Sequence, residues 1–319
     1  MIRREDYGKL SKTEITPELG TKSTSFNKDT TWITELKALV KIGIVNSNLI
    51  TTFVGFWLAL HVTGSSFINN IEAFILTIVG SALVIAGGAV LNNWYDVDID
   101  PVMKRTKLRP TVTGRISLKV AFRIGFLLSV VGHAFLLTVS WQAALWAFVG
   151  WFTYVVLYTM WSKRKYTLNT IVGSISGAVP PLIGWTAVSQ ELHIIPVTLF
   201  SIMFIWQIPH FLALAMKKSE EYKKAQVPML PAVYGFDMTK RQIVIYIACL
   251  LPLPFFMFSL GKAFLIIASI LNIAWLILGV MGFFMKDDLK WANIIFIYSL
   301  NYLTILFITM AIVTIDFPL

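Results

Sequence analysis

Nine apolar stretches divide the sequence, and each approaches the roughly 20 residues that a helix needs to cross the hydrocarbon core of a bilayer. They occupy residues 42–62, 72–93, 118–139, 143–159, 169–188, 194–215, 242–260, 263–284 and 292–314. Charged residues make up only 14% of the chain, whereas about 25% is usual for a soluble domain. The sequence therefore predicts an all-α integral membrane protein with nine transmembrane helices.

The basic residues are distributed unevenly between the two ends of these spans. Of the 27 Lys and Arg residues, 26 fall in the N-terminal segment or beside the loops that follow even-numbered spans, and only Lys262 falls on the other side. Because cytoplasmic loops carry the excess of Lys and Arg, we expect a multi-pass protein of the cell membrane with its N-terminus in the cytoplasm and its C-terminus outside. This topology accounts for the net charge of +10, so no nucleic-acid partner is expected.

The chain has a simple predicted organisation. Residues 1–40 are polar and are expected to form a loosely ordered cytoplasmic arm, and residues 41–319 are expected to form a single transmembrane domain. Two long loops, 94–117 and 216–241, lie on the cytoplasmic side of the predicted topology. Since binding and catalytic residues concentrate on loops held by a rigid scaffold, we expect the function to reside there.

An acidic cluster followed by a basic cluster marks the end of the second span, in the stretch NNWYDVDIDPVMKRTKLRP at residues 92–110. Asn92, Asp96 and Asp100 are spaced i, i+4, i+8, so they share one face if the helix continues past the membrane. Neighbouring carboxylates repel each other unless a cation lies between them, and Mg²⁺ is commonly shared between carboxylates and substrate phosphates. The residues that follow suit phosphate oxygens: Lys104, Arg105, Lys107 and Arg109. The stretch predicts a diphosphate site in which Asp96 and Asp100 hold magnesium.

Both clusters also have a purely structural interpretation. The aspartates can cap and solubilise a helix end, and the basic residues can simply follow the positive-inside rule. Three acids within five residues are an unusual choice beside anionic lipid head groups, which favours the functional interpretation of the aspartates. For each basic residue, phosphate binding and positive-inside placement are equally well supported.

Four stretches, taken in order, resemble a known family. They are the pattern NxxxDxxxD followed by MxRTxxRP within residues 92–110, then YTMWSKRKYTLNT (158–170), GAVPPLIGW (177–185) and WQIPHFLALAMKKSEEYKKAQVPMLP (206–231). From about residue 40 onward the chain resembles the UbiA superfamily of intramembrane prenyltransferases, and within it the haem branch. The resemblance implies a nine-helix UbiA-like bundle with a central cavity open toward the cytoplasmic side.

The resemblance also implies an activity. It implies transfer of the farnesyl group of farnesyl diphosphate to a vinyl group of haem B, with addition of water, to give haem O and diphosphate. Magnesium is the implied cofactor, membrane lipid surrounds the helices, and a haem A synthase or a terminal oxidase assembly is a candidate partner. Two alternatives stay open: a prenyltransferase acting on an aromatic acid or quinone precursor, and a membrane carrier. Acids and bases cluster at one membrane face, which argues against a carrier, because carriers bind near the midplane.

Further substrate-binding residues are expected near the cytoplasmic ends of spans four to six. His210 lies within span six, where an ionisable side chain is costly, and imidazole is a natural ligand for haem iron. Glu221 is the best candidate for a carboxylate in the region where most superfamily members carry a second DxxxD motif. The other candidates are Tyr158, Lys163, Arg164, Asn169 and Lys217. Each of these residues also has a structural alternative. His210 can simply pack in the core, Glu221 can be a solvated loop charge, and the basic residues can follow the positive-inside rule.

Overall fold

The computed structural model describes residues 32–191 and 193–315, and within these ranges the chain is helical without any strand. The α-helices are α1 (Trp32–Val40), α2 (Ile42–Thr63), α3 (Ile71–Tyr95), α4 (Leu118–Val139), α5 (Trp141–Phe152), α6 (Asn169–Ala178), α7 (Pro180–Thr186), α8 (Ile194–Lys217), α9 (Ser219–Lys224), α10 (Leu230–Val233), α11 (Gly235–Leu250), α12 (Lys262–Met281) and α13 (Asp288–Val313). A π-helical segment, Thr153–Ser162, continues α5. The predicted all-α class is confirmed.

Eight helical segments in the described ranges are long and apolar enough to cross a membrane: Ile42–Thr63, Ile68–Tyr95, Leu118–Val139, Trp141–Ser162, Ile194–Lys217, Leu230–Leu260, Lys262–Met281 and Asp288–Val313. The fifth predicted span, 169–188, is instead built from the two short helices α6 and α7. Pro180 and Pro181 have no N–H, so the carbonyl groups of Ser176 and Gly177 lose their usual helical donors. The ladder of hydrogen bonds breaks there, and the count of nine crossings stays a prediction.

The segment before the first span is more ordered than expected. Trp32–Val40 forms α1, and Leu39 on this helix is fully buried in a cluster with Val90 and Ile116. The prediction of a loosely ordered arm is therefore wrong for residues 32–40, because this apolar contact holds the helix against α3. Residues 1–31 lie outside the described ranges, and the domain boundary at residue 40 stays a prediction.

Small residues allow α3 and α4 to pack closely along their lengths. A Cβ atom added at Gly87 of α3 would lie 2.7 Å from the carbonyl oxygen of Gly125 on α4. A Cβ atom added at Gly132 of α4 would lie 2.7 Å from the carbonyl oxygen of Gly80 on α3. Both distances are too short for a real contact, so a side chain at either position would force the helices apart.

Helix α8 occupies the centre of the bundle. It contacts α6, α11 and α13, and its apolar residues form the largest buried cluster together with those of α2, α11, α12 and α13. Trp206 of α8 and Tyr302 of α13 are among the large side chains buried in this cluster. Most residues of α8 are therefore buried, including the polar residues Gln207 and His210.

Candidate active site

A cavity of about 820 Å³ lies among α2, α3, α6, α8, α13 and the π-helical segment, beneath the two long loops. Basic side chains line it where the loops meet the helix ends: Lys41, Arg105, Arg109, Lys163 and Lys218. Asn92, Asp100, Tyr158 and Glu221 line the same region. The wall elsewhere is apolar and includes Phe53, Val54, Met203, Leu303 and Phe307. The cavity therefore offers a charged end to an anionic group and an apolar part to a hydrocarbon.

The first acidic motif lies where α3 ends. The helix stops at Tyr95, but the backbone N–H of Asp96 donates to Asn92 (3.0 Å) and that of Asp100 donates to Asp96 (2.9 Å), which extends the helical spacing into the loop. Asn92 Nδ2 also donates to Asp96 Oδ2 at 2.8 Å. The three side chains thus share one face, and all three are buried.

Basic side chains from other segments reach both buried carboxylates. Lys163, at the end of the π-helical segment, forms an ion pair with Asp96, and Arg164 Nη2 lies 3.4 Å from Asp96 Oδ1. Arg109 Nη1, in the loop after α3, lies 2.5 Å from Asp100 Oδ2. A buried charge is costly unless it is paired, so these contacts stabilise both carboxylates. They also connect the acidic motif to its loop and to the π-helical segment.

Lys41 belongs to the same site, although nothing in the sequence distinguishes it from other lysines that flank membrane spans. Its Nζ donates to Asn92 Oδ1 and lies 3.5 Å from the hydroxyl of Tyr154. Its φ of 54° lies in the left-handed region, which is uncommon for a residue other than glycine, and this residue separates α1 from α2. Burial, followed by the charges of Arg109 and Lys163, lowers the pKa of Lys41 well below that of an exposed lysine.

Arg164 does not line the cavity but fixes the loop that does. Its guanidinium donates to both carboxylate oxygens of Asp98, at 2.6 and 2.7 Å, and to the carbonyl oxygen of Tyr95 at 3.0 Å. The hydrogen bonds with Arg164 lower the pKa of Asp98, and those with Asp98 raise the pKa of Arg164. This bidentate pair attaches the end of the π-helical segment to the loop after α3.

Glu221 brings the second long loop to the cavity. Its Oε2 accepts a hydrogen bond from the backbone N–H of Lys104 at 3.2 Å, and its Oε1 lies 3.2 Å from Lys218 Nζ. Neighbouring Glu220 instead pairs with Lys223 and does not line the cavity. Of the two glutamates in this stretch, Glu221 is therefore the one that can supply a carboxylate to the site.

His210 borders the cavity from α8. Its ring lies between those of Trp206 and Phe296, with centroid distances of 4.9 and 4.8 Å, and its Nδ1 lies 2.7 Å from the hydroxyl of Ser299. Ser299 comes from α13 and nothing in the sequence marks it, because it is one of many small polar residues in the spans. The histidine is held in one orientation by both helices.

Besides Arg164, other predicted site residues lie away from the cavity wall. The carboxylate of Asp96 is fully buried behind the wall, where it contacts Asn92, Lys163 and Arg164, and the side chain of Lys107 is exposed. The side chain of Lys104 is exposed. Lys217 Nζ donates to Asn293 Oδ1 at 2.6 Å, and Asn169 is buried, with its Nδ2 donating to the carbonyl oxygen of Pro228 at 3.4 Å. The structure therefore gives these residues contacts in the scaffold around the site and does not bring them to the cavity.

The oxygen atoms at the charged end are of the kind that coordinates Mg²⁺. Within the described part of the chain, no group of three or more His, Cys, Asp or Glu side chains is arranged to hold a metal. Asp100 gives one oxygen to Arg109 and keeps the other. Asn92 and Glu221 place further oxygens at the wall, and these also accept hydrogen bonds from lysine side chains or a backbone N–H. Mg²⁺ is commonly held by one or two carboxylates together with phosphate oxygens and water, and this end of the cavity offers carboxylates in that number.

The chain is similar over most of its length to curated proteins of known name. Residues 48–300 match the UbiA prenyltransferase family. A protein from Oceanobacillus iheyensis named protoheme IX farnesyltransferase is 63% identical over 280 residues, which cover 88% of this chain and 89% of that protein. A protein from Bacillus subtilis named protoheme IX farnesyltransferase 2 is 58% identical over 287 residues, which cover 90% of this chain and 94% of that protein.

Solved structures share the fold. A digeranylgeranylglyceryl phosphate synthase matches with a TM-score of 0.73 at 19% identity, covering 89% of this chain and 99% of that one. A UbiA homologue from Archaeoglobus fulgidus bound to DMAPP and Mg²⁺ matches with a TM-score of 0.63 at 15% identity, covering 85% of this chain and 99% of that one. The fold, the apolar helices and the sequence relatives agree, so this multi-pass membrane protein belongs to the UbiA prenyltransferase family, in the group whose curated members are named protoheme IX farnesyltransferase.

Proposed function

We propose that this protein transfers the farnesyl group of farnesyl diphosphate to a vinyl group of haem B, with addition of water, to give haem O and diphosphate. The observation that carries the proposal is the high identity, along nearly the whole chain, to relatives named protoheme IX farnesyltransferase. The cavity supports it, because a charged end and an apolar part in one chamber match the two ends of an isoprenoid diphosphate.

The charged end binds the diphosphate. Arg105, Arg109 and Lys163 line it and are suited to phosphate oxygens, and Lys41 adds a fourth cation. Asp96 and Asp100 would hold magnesium, with Asn92 assisting, and the metal would supply positive charge to balance that of the leaving group. Fixed cations at the place where negative charge develops favour departure of diphosphate, because they are already oriented before the bond breaks.

The apolar part protects the reactive intermediate. When the C1–O bond of farnesyl diphosphate breaks, its electron pair leaves with diphosphate and an allylic carbocation remains. Side chains such as Phe53, Met203 and Phe307 keep water from this cation. The π electrons of the haem vinyl group then form the new bond to C1, and water adds to the resulting carbocation and loses a proton to give the hydroxyl group of haem O.

The placement of the site is also part of the proposal. The excess of Lys and Arg beside the long loops supports a charged end that faces the cytoplasm, with the protein in the cell membrane. Because haem O stays in the bilayer through its isoprenoid tail, we propose that it passes to a haem A synthase or a terminal oxidase assembly in the same membrane.

The proposal is tested by product analysis with purified protein in detergent. Incubation with farnesyl diphosphate, haem B and Mg²⁺ is expected to give a haem with the mass of haem O, and chelation of the metal is expected to stop its formation. Asp96→Asn and Asp100→Asn are each expected to lower the rate at least about 100-fold, as for loss of a group that stabilises transition-state charge. Asp237→Asn, at an exposed aspartate that does not line the cavity, is the control.

Three outcomes would contradict parts of this proposal. Wild-type rates in folded Asp96→Asn and Asp100→Asn variants would exclude the assigned metal site. Prenylation of 4-hydroxybenzoate in place of haem B would assign an aromatic substrate. Transport of a substrate across proteoliposomes without release of diphosphate would identify a carrier.

A further inference from the structure

The hydrogen bonds around Ser299 determine which nitrogen of His210 carries a proton. The hydroxyl oxygen of Ser299 lies 2.6 Å from the carbonyl oxygen of Phe296 and 2.7 Å from His210 Nδ1. A carbonyl oxygen only accepts, and a serine hydroxyl has a single proton to donate. Ser299 therefore donates to Phe296 and accepts from His210, which places the imidazole proton on Nδ1 and leaves a lone pair on Nε2.

The imidazole ring is also fixed in its orientation. Trp206 and Phe296 stack on its two faces, with interplanar angles of 20° and 27°. The indole N–H of Trp206 donates to the carbonyl oxygen of Ser299 at 2.8 Å, so α8 and α13 are tied together at this point. Since His210 borders the cavity and its Nδ1 is occupied by Ser299, Nε2 is the ring nitrogen left for a ligand there.

We propose that Ser299 is a positioning residue that holds His210 as the Nδ1-protonated tautomer and presents the Nε2 lone pair to the iron of haem B. The proposal rests on the proposed function in taking haem B as the molecule that enters the cavity. A neutral imidazole binds iron through one nitrogen, and an acceptor for its other N–H fixes the tautomer and raises the basicity of the ligand. Ser299 supplies that acceptor from the neighbouring helix.

Haem binding without turnover tests this role. Haem B is added to the purified full-length protein in detergent without farnesyl diphosphate, and we measure its affinity and the iron–histidine stretching band of the ferrous form by resonance Raman spectroscopy. The wild type is expected to show the band, and His210→Ala is expected to lose it. Ser299→Ala is expected to weaken haem binding roughly twofold to tenfold and to lower the band frequency, since one hydrogen bond is lost. Ser299→Thr keeps the hydroxyl and is expected to restore both.

Ser129 provides a matched control on α4. Its hydroxyl is buried, donates to the carbonyl oxygen of Gly125 at 2.7 Å and accepts from the indole N–H of Trp151 at 2.9 Å. This hydroxyl therefore has the same pattern of hydrogen bonds as that of Ser299, with a tryptophan in place of the histidine. Ser129→Ala is expected to leave the band and the haem affinity unchanged. Equal spectra and affinities for Ser299→Ala and Ser129→Ala, or a band that persists in His210→Ala, would overturn the proposal.

The product assay separates this inference from the proposed function. A wild type that makes haem O but shows no histidine-ligated haem would overturn the role of Ser299 and leave the activity in place. A wild type that shows the band but makes no haem O would overturn the activity and leave the ligand assignment in place.

Discussion

Buried charged side chains at the polar end of the cavity each have a polar partner, which comes from a distant segment or from the same loop. Asp96 meets Lys163, Asp100 meets Arg109, and Lys41 meets Asn92. Removal of one member of a buried ion pair typically costs about 3–5 kcal/mol, because the other charge is left without a partner. Substitutions at these positions therefore act on folding as well as on chemistry, and each needs a check that the protein is folded.

Lys41 gives a prediction at the scale of a single residue. Lys41→Met removes one cation from the charged end and is expected to lower kcat/KM for farnesyl diphosphate about tenfold to a hundredfold, because a hydrogen bond to a charged group contributes about 1.5–3 kcal/mol. Lys41→Arg keeps the charge and is expected to lose less. Steady-state kinetics with saturating haem B measure both.

Lys37→Met is the matched control for this prediction, since Lys37 is an exposed lysine on the adjoining helix α1. It is expected to retain the wild-type kinetic constants. Equal kinetic constants for Lys41→Met and Lys37→Met would show that Lys41 does not act on the diphosphate.

Residue spacing alone could predict the acidic motif but not its partners. Asn92, Asp96 and Asp100 are local in sequence, so a helical period places them together. Lys41 lies 51 residues from Asn92, and Ser299 lies 89 residues from His210, and no local pattern connects such pairs. Sequence position also assigned residues to the site that the structure places elsewhere, again because contacts between distant segments are not visible in a local pattern. Asn169 and Lys217 lie near the charged ends of their spans in the sequence. Their side chains nevertheless bond to Pro228 and Asn293, which do not line the cavity.

At the scale of helices, the close approach of α3 and α4 depends on the absence of side chains. Gly87→Ala is expected to destabilise the protein by about 1–3 kcal/mol, as for overpacking of a tight core, and to lower the thermal midpoint measured in detergent. Gly43→Ala is the control, since a Cβ atom there meets nothing within 4 Å. It is expected to be neutral or stabilising by up to about 1 kcal/mol. A thermal midpoint unchanged by Gly87→Ala would contradict the packing argument.

The ends of the long transmembrane helices could be predicted from the sequence, because the length of each apolar stretch determines them. Spans such as 194–215 correspond to helices with ends shifted by a few residues, and the prolines at 180 and 181 coincide with the break between α6 and α7. Helix α1 was not predicted, because a segment of nine residues is too short to be recognised as a span, and its order depends on packing such as that of Leu39 against Val90 and Ile116. The π-helical segment was not predicted either, and within it the Thr159 hydroxyl donates to the carbonyl oxygen of Tyr154.

At the scale of the whole molecule, the described surface includes many large apolar side chains. Large apolar side chains are exposed on the outer helices, including Ile266, Ile270 and Ile277 along α12, which suits lipid and not water. The architecture and the family followed from the order of four motifs, because those motifs surround one cavity. The orientation in the membrane rests on charge asymmetry alone.

Cysteine labelling tests the orientation. In a Cys249→Ala background, which has no other cysteine, Lys262→Cys is expected to react with a membrane-impermeant maleimide in intact cells, and Lys286→Cys only after permeabilisation. Both side chains are exposed, so burial in the protein does not prevent labelling. The reverse pattern would place the charged end of the cavity outside the cell.

The π-helical segment has a consequence for comparing this chain with its relatives. The backbone N–H of Lys163 donates to the carbonyl oxygen of Tyr158, five residues earlier, and such a turn encloses one residue more than an α-helical turn. The segment is therefore equivalent to an insertion relative to any homologue that is α-helical there. If the two sequences are aligned without a gap in this segment, every position after Ser162 is displaced by one residue, and Lys163 is aligned with a residue that is not its structural equivalent. Transfer of cationic residues between homologues is better anchored on the contact with Asp96 than on residue counting.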